Sequence, residues 1–226
     1  MQGLKGVVDQ DKIEVLHKVN HYMLNIYRLE IKPVVLTGRN VRLEPLSEAH
    51  VPDLTAVGLD ESIWRFMLYG NIQTEEQMRC WVQDLLQRQA QGGDLPFAVI
   101  HLATGQAIGA TRYLDIRARD RALEIGGTWY AVKFQRTVVN TECKLLLLEH
   151  AFEHLGCVRV QFKTDLRNVR SQHAIERIGA VKEGVLRRHL ITPEGYIRDS
   201  VIYSIIDSEW LEVKKRLRLM MHYEDL

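Results

Sequence analysis

The sequence predicts an α+β domain, with helices packed against a mixed, mostly antiparallel sheet. Two pairs of apolar runs, within residues 97–114 and 183–206, are each broken by a polar turn, which is typical of β-hairpins. Between them, residues 122–164 read as strand, helix and strand, and this order in one sheet produces a parallel pair with a right-handed crossover. Residues 47–91 instead show the periodicity of amphipathic helices.

The pattern of a folded domain begins at residues 34–46. Ser47 is expected to cap a short helix over residues 48–57, and Thr74 opens a capping-box pattern before a helix over residues 75–91. The apolar side chains of this second helix recur on one face: Met78, Val82, Leu85 and Leu86.

Strands are expected over residues 97–102, 107–114 and 122–131, because apolar and β-branched residues alternate there between polar turns. A helix over about residues 141–155 then precedes a strand over residues 158–164. The helix should bury one face and end at a glycine; these residues are Leu145, Leu148, Ala151, Phe152, Leu155 and Gly156.

The last part of the chain predicts a short helix, a hairpin and a closing helix. Asn168 can cap a helix that runs to Ile178 and stops at Gly179. Residues 183–190 and 199–206 form the hairpin. The closing helix begins at Ser208 and buries Trp210, Val213 and Leu217.

Composition excludes several classes of function. Lys and Arg number 30 against 29 Asp and Glu, so no overall field favours a nucleic-acid or membrane partner. Three cysteines lack metal or redox spacing, which favours a reducing compartment. No apolar stretch reaches the roughly 18 residues of a membrane helix, and the start has no signal-peptide pattern. A cytoplasmic protein without a metal is expected.

Residues 1–33 are treated as an N-terminal extension, and residues 34–226 as the domain. Apolar residues recur at helical intervals between Asp11 and Leu29, as in an amphipathic helix that packs on the domain or on a partner. A poorly ordered extension is the alternative, and both interpretations stay open.

The segment after the third strand has the features of an anion site. A polar loop over residues 132–139 leads into a helix expected to open near Asn140. The unpaired N–H groups of a first helical turn, together with the helix dipole, attract anions, and Arg136 adds a full positive charge. A pyrophosphate would fit such a site; an ordinary capped helix without a ligand is the alternative.

Residues 135–140 resemble the acetyl-CoA signature of the GNAT superfamily, Gln/Arg-x-x-Gly-x-Gly/Ala, although Val138 and Asn140 stand where that family usually has small residues. The longer run over residues 134–144, Phe-Gln-Arg-Thr-x-Val-Asn-Thr-Glu-x-Lys, resembles a variant loop of the RimJ/RimL-like, ribosomal-protein alanine acetyltransferase branch. Blocks at residues 168–184 and 198–210 resemble the same branch. The resemblance covers about residues 36–210.

The resemblance implies the GNAT fold, with helices on both faces of a sheet that is splayed between its fourth and fifth strands. It implies an N-acetyltransferase that uses acetyl-CoA as co-substrate and acts by direct attack of a primary amine in a ternary complex. The acceptor could be a protein N-terminus or a small-molecule amine, and a homodimer is left open. The alternative is a non-catalytic acyl-CoA-binding module of the same fold.

The resemblance also implies site residues. Glu124 would take the amine proton, directly or through water, and Ser171 would assist the sulfur; a solvated strand face and a helix-cap hydroxyl are the respective alternatives. Gly126 and Gly127 suit a bulge or close ligand approach, or else a simple kink. The cofactor-binding residues would be Thr128, Trp129, Tyr130, Ala131, Gln135, Arg136, Thr137, Val138, Val139, Asn140, Thr141, Asn168 and Ser171.

Two further patterns carry weaker signals. His150 and His154 have metal-ligand spacing on one helix, but no third ligand is evident and a polar helix face explains them. Residues 187–189, Arg-Arg-His, form a strand end, or else contact an acidic substrate at the acceptor entrance. The acceptor itself cannot be identified from the sequence, because loops such as residues 191–198 build that side of the site.

Overall fold

The computed structural model describes residues 29–222. The predicted helix from Asp11 therefore lies outside the described residues, except for its last residue, Leu29. None of the helices within residues 29–222 combines the length and the apolar character that crossing a membrane requires.

The fold is centred on one eight-stranded sheet, which confirms the predicted α+β class. Neighbouring strands are antiparallel, except for the parallel pair β5 and β6. The sheet order is β1-β2-β3-β4-β5-β6-β8-β7, so the terminal hairpin inserts its second strand beside β6. The strands are β1 Leu36–Thr37, β2 Val41–Pro45, β3 Leu95–His101, β4 Gln106–Arg117, β5 Ala122–Tyr130, β6 Arg159–Asp165, β7 Val181–Ile191 and β8 Ile197–Ile206.

Helices cover both faces of the sheet. Short 3-10 turns precede α1 and lie between β4 and β5 and between β5 and α4, and α4 continues as a π-helical turn over His150–His154. The four-residue α2 was not predicted, since it is too short to show helical periodicity. The helices are α1 Val51–Gly58, α2 Glu61–Trp64, α3 Glu75–Ala90, α4 Val138–Glu149, α5 Val169–Arg177 and α6 Asp207–Met220.

The predicted cap of α3 is present. Thr74 Oγ1 accepts a hydrogen bond from the amide of Gln77 at 3.2 Å. The side chain of Gln77 accepts from the amide of Gln73 at 2.7 Å, so the reciprocal bond reaches one residue further back than in a standard capping box. The buried face of α3 contains Met78, Val82 and Leu85 as predicted, and also Trp81.

Helix α4 begins at Val138, three residues earlier than expected from the sequence. Thr137 is its N-cap, because the backbone there is extended and its hydroxyl accepts from the amide of Val139 at 3.3 Å. Two consecutive β-branched valines have weak helix propensity, which on its own disfavours a helix start at this position. The cap hydrogen bond and burial of Val139 outweigh that preference.

Each face of the sheet has its own core, because side chains alternate along a strand. Phe97 and Val99 of β3 pack in the core beneath α4 and α6, called here the α4 face. Ala98 and Ile100 pack in a second core beneath α1, α2 and α3, called here the α3 face. A site within the sheet can therefore have one side on the α3 face and the other on the α4 face.

Candidate active site

Strands β5 and β6 separate soon after they pair. Their parallel ladder runs only from Ala122↔Arg159 to Glu124↔Gln161, and the strands splay beyond it. This confirms the splay predicted between the fourth and fifth strands of the main sheet, counted from β2. A cavity of about 670 Å³ lies in the gap. Ten predicted site residues line it: Glu124, Thr128, Trp129, Tyr130, Gln135, Arg136, Thr137, Asn140, Asn168 and Ser171.

A bulge in β5 decides which side of the sheet each site residue faces. β4 pairs Arg112 with Gly126 but Ala110 with Trp129, so β5 carries one extra residue, and Gly127 has the positive φ of 57° that favours glycine. An extra residue moves the following side chains to the opposite face. Of the alternatives left open for these glycines, the structure shows the bulge.

As a result, the site residues of β5 lie on both faces of the sheet. Leu123 belongs to the α4-face core, so Glu124 faces the α3 side of the sheet. After the bulge, Trp129 packs in the α3-face core and Tyr130 in the α4-face core, so Thr128 faces α4. The cavity thus opens through the sheet from one face to the other.

Glu124 is buried at 3% exposure, and its carboxylate is held in place. Its Oε2 lies 3.0 Å from Lys163 Nζ and accepts from Gln161 Nε2 at 3.0 Å. Within residues 29–222 its Oε1 makes no hydrogen bond, and the residue lines the cavity. The alternative of a solvated strand face does not describe this carboxylate, which is oriented and has one oxygen left for a ligand.

The start of α5 brings Asn168 and Ser171 to the opposite wall of the cavity. Asn168 Oδ1 accepts from the amide of Ser171 at 3.0 Å, which is the predicted N-cap. In the described part of the chain the Ser171 hydroxyl has no hydrogen-bonding partner. It therefore retains a donor and an acceptor for a ligand.

The loop before α4 is held by its own side chains. Gln135 Nε2 donates to the carbonyl of Tyr130 at 3.1 Å, and Arg170 Nη1 donates to Gln135 Oε1 at 2.8 Å. Arg136 has a φ of 60°, which is uncommon for a residue with a side chain. Arg136, Arg170 and Arg177 make this end of the cavity strongly basic. The first-turn amides of α4 add to that field.

Four predicted cofactor residues lie off the cavity wall. Ala131 is buried, and its amide donates to the carbonyl of Ile108 at 2.8 Å. Val139 is buried in the α4-face core, whereas Val138 points outward. Thr141 is buried and accepts from Arg177 Nη2 at 2.9 Å, so it holds a cavity-lining side chain rather than lining the cavity itself. Their roles in binding stay predictions.

Lys144 also lines the cavity, although no role was predicted for it from the sequence. It is 6% exposed, and its ammonium donates to Thr128 Oγ1 at 2.8 Å; Thr128 in turn shares a hydrogen bond with Thr111. Burial lowers the pKa of Lys144 to about 8. The sequence feature that could have identified Lys144 is its position as the last residue of the run over residues 134–144, which resembles the RimJ/RimL-like loop.

A further part of the cavity wall is formed by residues that are distant in the sequence. It consists of a loop after α2 and of basic residues on three strands. These segments are more than 30 residues apart in the chain, so local sequence patterns do not link them. These residues are Phe66, Met67, Leu68, Tyr69, Arg112, Lys163 and Arg198. His189, from the Arg-Arg-His run over residues 187–189, does not line the cavity. Burial lowers its pKa, and the nearby charges of Lys163 and Arg198 add to that shift.

The two histidines of the α4 segment have structural neighbours. His150 Nδ1 lies 3.3 Å from the hydroxyl of Tyr113, and its ring stacks on His154 with centroids 5.7 Å apart. No group of three or more metal-ligating side chains occurs within residues 29–222. Glu142, from the same quoted run as Lys144, faces away from the cavity and accepts from the amides of Arg39 and Asn40.

Comparison with known proteins gives a family match. The model of the "Acetyltransferase (GNAT) domain" family matches residues 40–181, which is more than half of the chain. YdaF of Bacillus subtilis, provisionally named as a ribosomal N-acetyltransferase, is 32% identical over 109 residues, which are 48% of this chain and 58% of YdaF. This chain therefore spans less than two thirds of the length of that relative.

Solved structures share the fold. A crystal structure provisionally named as an acetyltransferase, from T. thermophilus, is 39% identical and superposes with a TM-score of 0.78, over 85% of this chain and all of that one. Mycobacterium smegmatis RimJ in complex with CoA-disulfide has a TM-score of 0.72 at 18% identity, over 84% of this chain and 95% of that one. At that identity the likeness concerns the fold alone.

Proposed function

The chain belongs to the GNAT acetyltransferase family, and from that premise we propose that it transfers the acetyl group of acetyl-CoA to a primary amine. Its similarity to YdaF supports a place in the RimJ/RimL-like branch. The observation that carries the proposal is the cavity at the β5–β6 splay, which has an oriented carboxylate on one side and a basic helix start on the other.

The residues present suit acetyl-CoA. Arg136 and the first-turn amides of α4 would hold the pyrophosphate, since both supply positive potential at the loop. The segment from Thr128 to Tyr130 lies beyond the last ladder pair with β6, so its backbone can pair with pantetheine amides. Ala131 cannot extend this pairing, because its amide donates to the carbonyl of Ile108 and its carbonyl accepts from the amide of Phe134. Buried Lys144 has no ion pair within the described residues and offers a further donor to the same channel. The CoA-disulfide complex of M. smegmatis RimJ supports this assignment at the level of the fold.

The proposed mechanism assigns a proton-transfer step to each side of the sheet. Acetyl-CoA supplies the acetyl group as a thioester. Glu124 Oε1 accepts the proton of the incoming amine, directly or through one water, while Lys163 and Gln161 hold Oε2. The Ser171 hydroxyl donates to the sulfur as the C–S bond breaks. Because Glu124 faces the α3 side and Thr128 the α4 side, the amine and the thioester meet in the gap.

A non-catalytic acyl-CoA-binding module is the second candidate. Such a module would need the basic loop but not an oriented carboxylate, and the free oxygen of Glu124 favours the enzyme. Release of free thiol from acetyl-CoA, followed across a panel of amines and N-terminal peptides, separates the two. An enzyme releases thiol with at least one acceptor above the hydrolysis rate, whereas a binding module releases none although coenzyme A binds.

Replacing Arg136 by Ala is expected to weaken coenzyme A binding by about 1 to 2 kcal/mol, because one charge-assisted contact among several is lost. Isothermal calorimetry measures this directly. Arg136→Gly is the matched control, since it removes the same charge but suits the φ of 60°. Equal affinity in all three proteins would exclude Arg136 from the phosphate site. Heat of binding with ATP but not with coenzyme A would overturn the cofactor assignment itself.

We also propose that residues 34–226 form the acetyltransferase domain and that residues 1–33 are dispensable for coenzyme A binding. Leu29 is 6% exposed in the α4-face core, and its amide donates to the carbonyl of Ala118 at 3.1 Å. Deleting residues 1–28 keeps this contact, whereas deleting residues 1–33 removes it and should cost about 1.5 to 3 kcal/mol of stability.

Calorimetry with coenzyme A and urea unfolding of both truncated proteins check this boundary. Both are expected to bind coenzyme A within a few-fold of the full chain, and only the shorter one should lose stability. Aggregation or loss of binding after removal of residues 1–28 would instead assign that segment to the core or to an obligate dimer.

A further inference from the structure

Arg198 places a guanidinium with unused hydrogen-bonding capacity in the cavity wall. It is 5% exposed, its Nε donates to Ser200 Oγ at 3.1 Å, and the same atom lies 3.9 Å from Asp165 Oδ2. Asp165 is already held by Arg167, at 3.0 Å from Nε and 2.7 Å from Nη2. Within residues 29–222, the two terminal nitrogens of Arg198 make no hydrogen bond. They remain available to an anionic ligand.

The position of Arg198 assigns it to the acceptor side of the sheet. Val201 and Tyr203 of β8 pack in the α4-face core, so the alternating positions 198 and 200 face the α3 side. Glu124 faces the same side, and the proposed acetyl donor lies on the other. Burial lowers the pKa of Arg198, and the negative charges of Asp165 and Glu124 oppose that shift.

The charge balance at this end of the cavity is positive. Arg112, Lys163 and Arg198 line it, and Glu124 is the only carboxylate among the lining residues within the described ranges. Arg112 pairs with Asp94 at 2.9 Å and Lys163 with Glu124 at 3.0 Å, which leaves Arg198 as the least neutralised of the three. A polycation would meet repulsion here, whereas an anion would gain a charge-assisted contact in a poorly hydrated site.

We propose that the acceptor of this chain is an amine that carries a carboxylate, and that Arg198 binds this carboxylate while Glu124 faces the amine. The inference rests on the proposed acetyl transfer. Guanidinium and carboxylate match in a two-bond geometry, and the two free nitrogens of Arg198 can supply it. The carboxylate could belong to a free α-amino acid or to an acidic side chain next to a peptide N-terminus.

Matched acceptor pairs test the proposal in the unmodified protein. Alanine is compared with alanine amide, a peptide that begins Ala-Asp with one that begins Ala-Asn, and spermidine serves as the polycation. Each pair differs in one negative charge and little in shape. We expect the carboxylate member of at least one pair to have about 10- to 100-fold higher kcat/KM, the worth of one charge-assisted contact. The pair that shows the difference identifies the source of the carboxylate.

Variants of Arg198 distinguish a loss of carboxylate binding from a general loss of folded structure. Arg198→Gln should raise KM for the carboxylate acceptor about 10- to 100-fold, change kcat less, and leave the amide acceptor unaffected. Arg198→Lys should raise KM for the carboxylate acceptor less, since lysine keeps the positive charge but not the two-bond geometry of the guanidinium. Arg88→Gln, which removes an exposed arginine of α3, is the charge-matched control. Calorimetry with coenzyme A shows whether each variant is folded.

The outcomes distinguish this inference from the function on which it rests. Equal or better turnover of both amides, or of spermidine, would overturn the carboxylate acceptor and leave acetyl transfer in place. Absence of turnover with every amine, despite coenzyme A binding, would overturn both. If Arg198→Gln does not fold, the ratios measured in the unmodified protein still decide the question.

Discussion

Replacing Glu124 by Gln is expected to lower kcat by about 100- to 10,000-fold, which is the usual worth of a positioned proton acceptor. An alkyl ammonium has a pKa near 10 and a peptide α-ammonium near 8, so only about one part in a thousand to one part in ten of the amine is nucleophilic at pH 7 without help. The glutamine keeps the size of the side chain and lies on the α3 side of the sheet, away from the coenzyme. Affinity for coenzyme A should therefore stay within a few-fold.

Steady-state kinetics across pH, with calorimetry of coenzyme A binding, measure both effects. Ser171→Ala should lose less activity than Glu124→Gln, because water can protonate a thiolate whose pKa is only about 8.5. Glu212→Gln, at an exposed position of α6, controls for the loss of one negative charge. Unchanged turnover and an unchanged pH profile in Glu124→Gln would remove Glu124 from the mechanism and leave water or another group as the base.

Replacing Trp129 by Ala is expected to lower the free energy of unfolding by about 3 to 5 kcal/mol, the usual cost of truncating a buried aromatic side chain. Trp129 is 3% exposed in the α3-face core. Its ring lies 5.3 Å from that of Trp64 and 6.0 Å from that of Trp81, measured between centroids. Since Trp129 joins α2 and α3 to the strand that edges the cavity, the truncation leaves a void where three elements meet.

Urea unfolding checks this prediction through the midpoint, provided that the slope of the transition stays constant. Trp129→Phe is the matched control and should lose much less, because the ring remains and the indole N–H has no hydrogen-bonding partner within residues 29–222. Retained stability in Trp129→Ala together with lost coenzyme A binding would contradict this account. The side chain would then contact the cofactor, in addition to the backbone pairing proposed for that segment.

The position of α4 shows why part of the site could not be predicted from local patterns. A helix start after a polar loop was predicted near Asn140, but the helix begins at Val138 because the Thr137 hydroxyl caps it and Val139 is buried. Propensity alone disfavours two valines in a first turn, and only tertiary burial reverses that preference. The same burial moved Val139 and Thr141 off the cavity wall.

The terminal hairpin shows the same limit at longer range. Its two strands were predicted, but β8 pairs with β6 over seven residue pairs, from Arg159↔Ile206 to Asp165↔Ser200, and leaves β7 at the edge. This pairing brings Arg198 near Glu124, which lies on a strand 74 residues earlier. Periodicity reports neighbours within a few residues, whereas strand partners are set by burial of whole faces, so the place of Arg198 in the cavity wall could not be predicted from its hairpin alone.

The α+β class and the caps at Thr74 and Asn168 were predicted from the sequence, a bulge was one of the alternatives for the glycines of β5, and the motifs indicated the family. The class, the caps and the glycine positions depend on the backbone preference or the periodicity of short segments, whereas the family rests on the resemblance of motifs. Three features of the site depend instead on the packing of distant segments: the face that each side chain takes, the contact of Lys163 with Glu124, and the places of Lys144 and Arg198 in the cavity wall. These contacts join residues distant in the chain, and their geometry follows from how the sheet is ordered and where its strands separate.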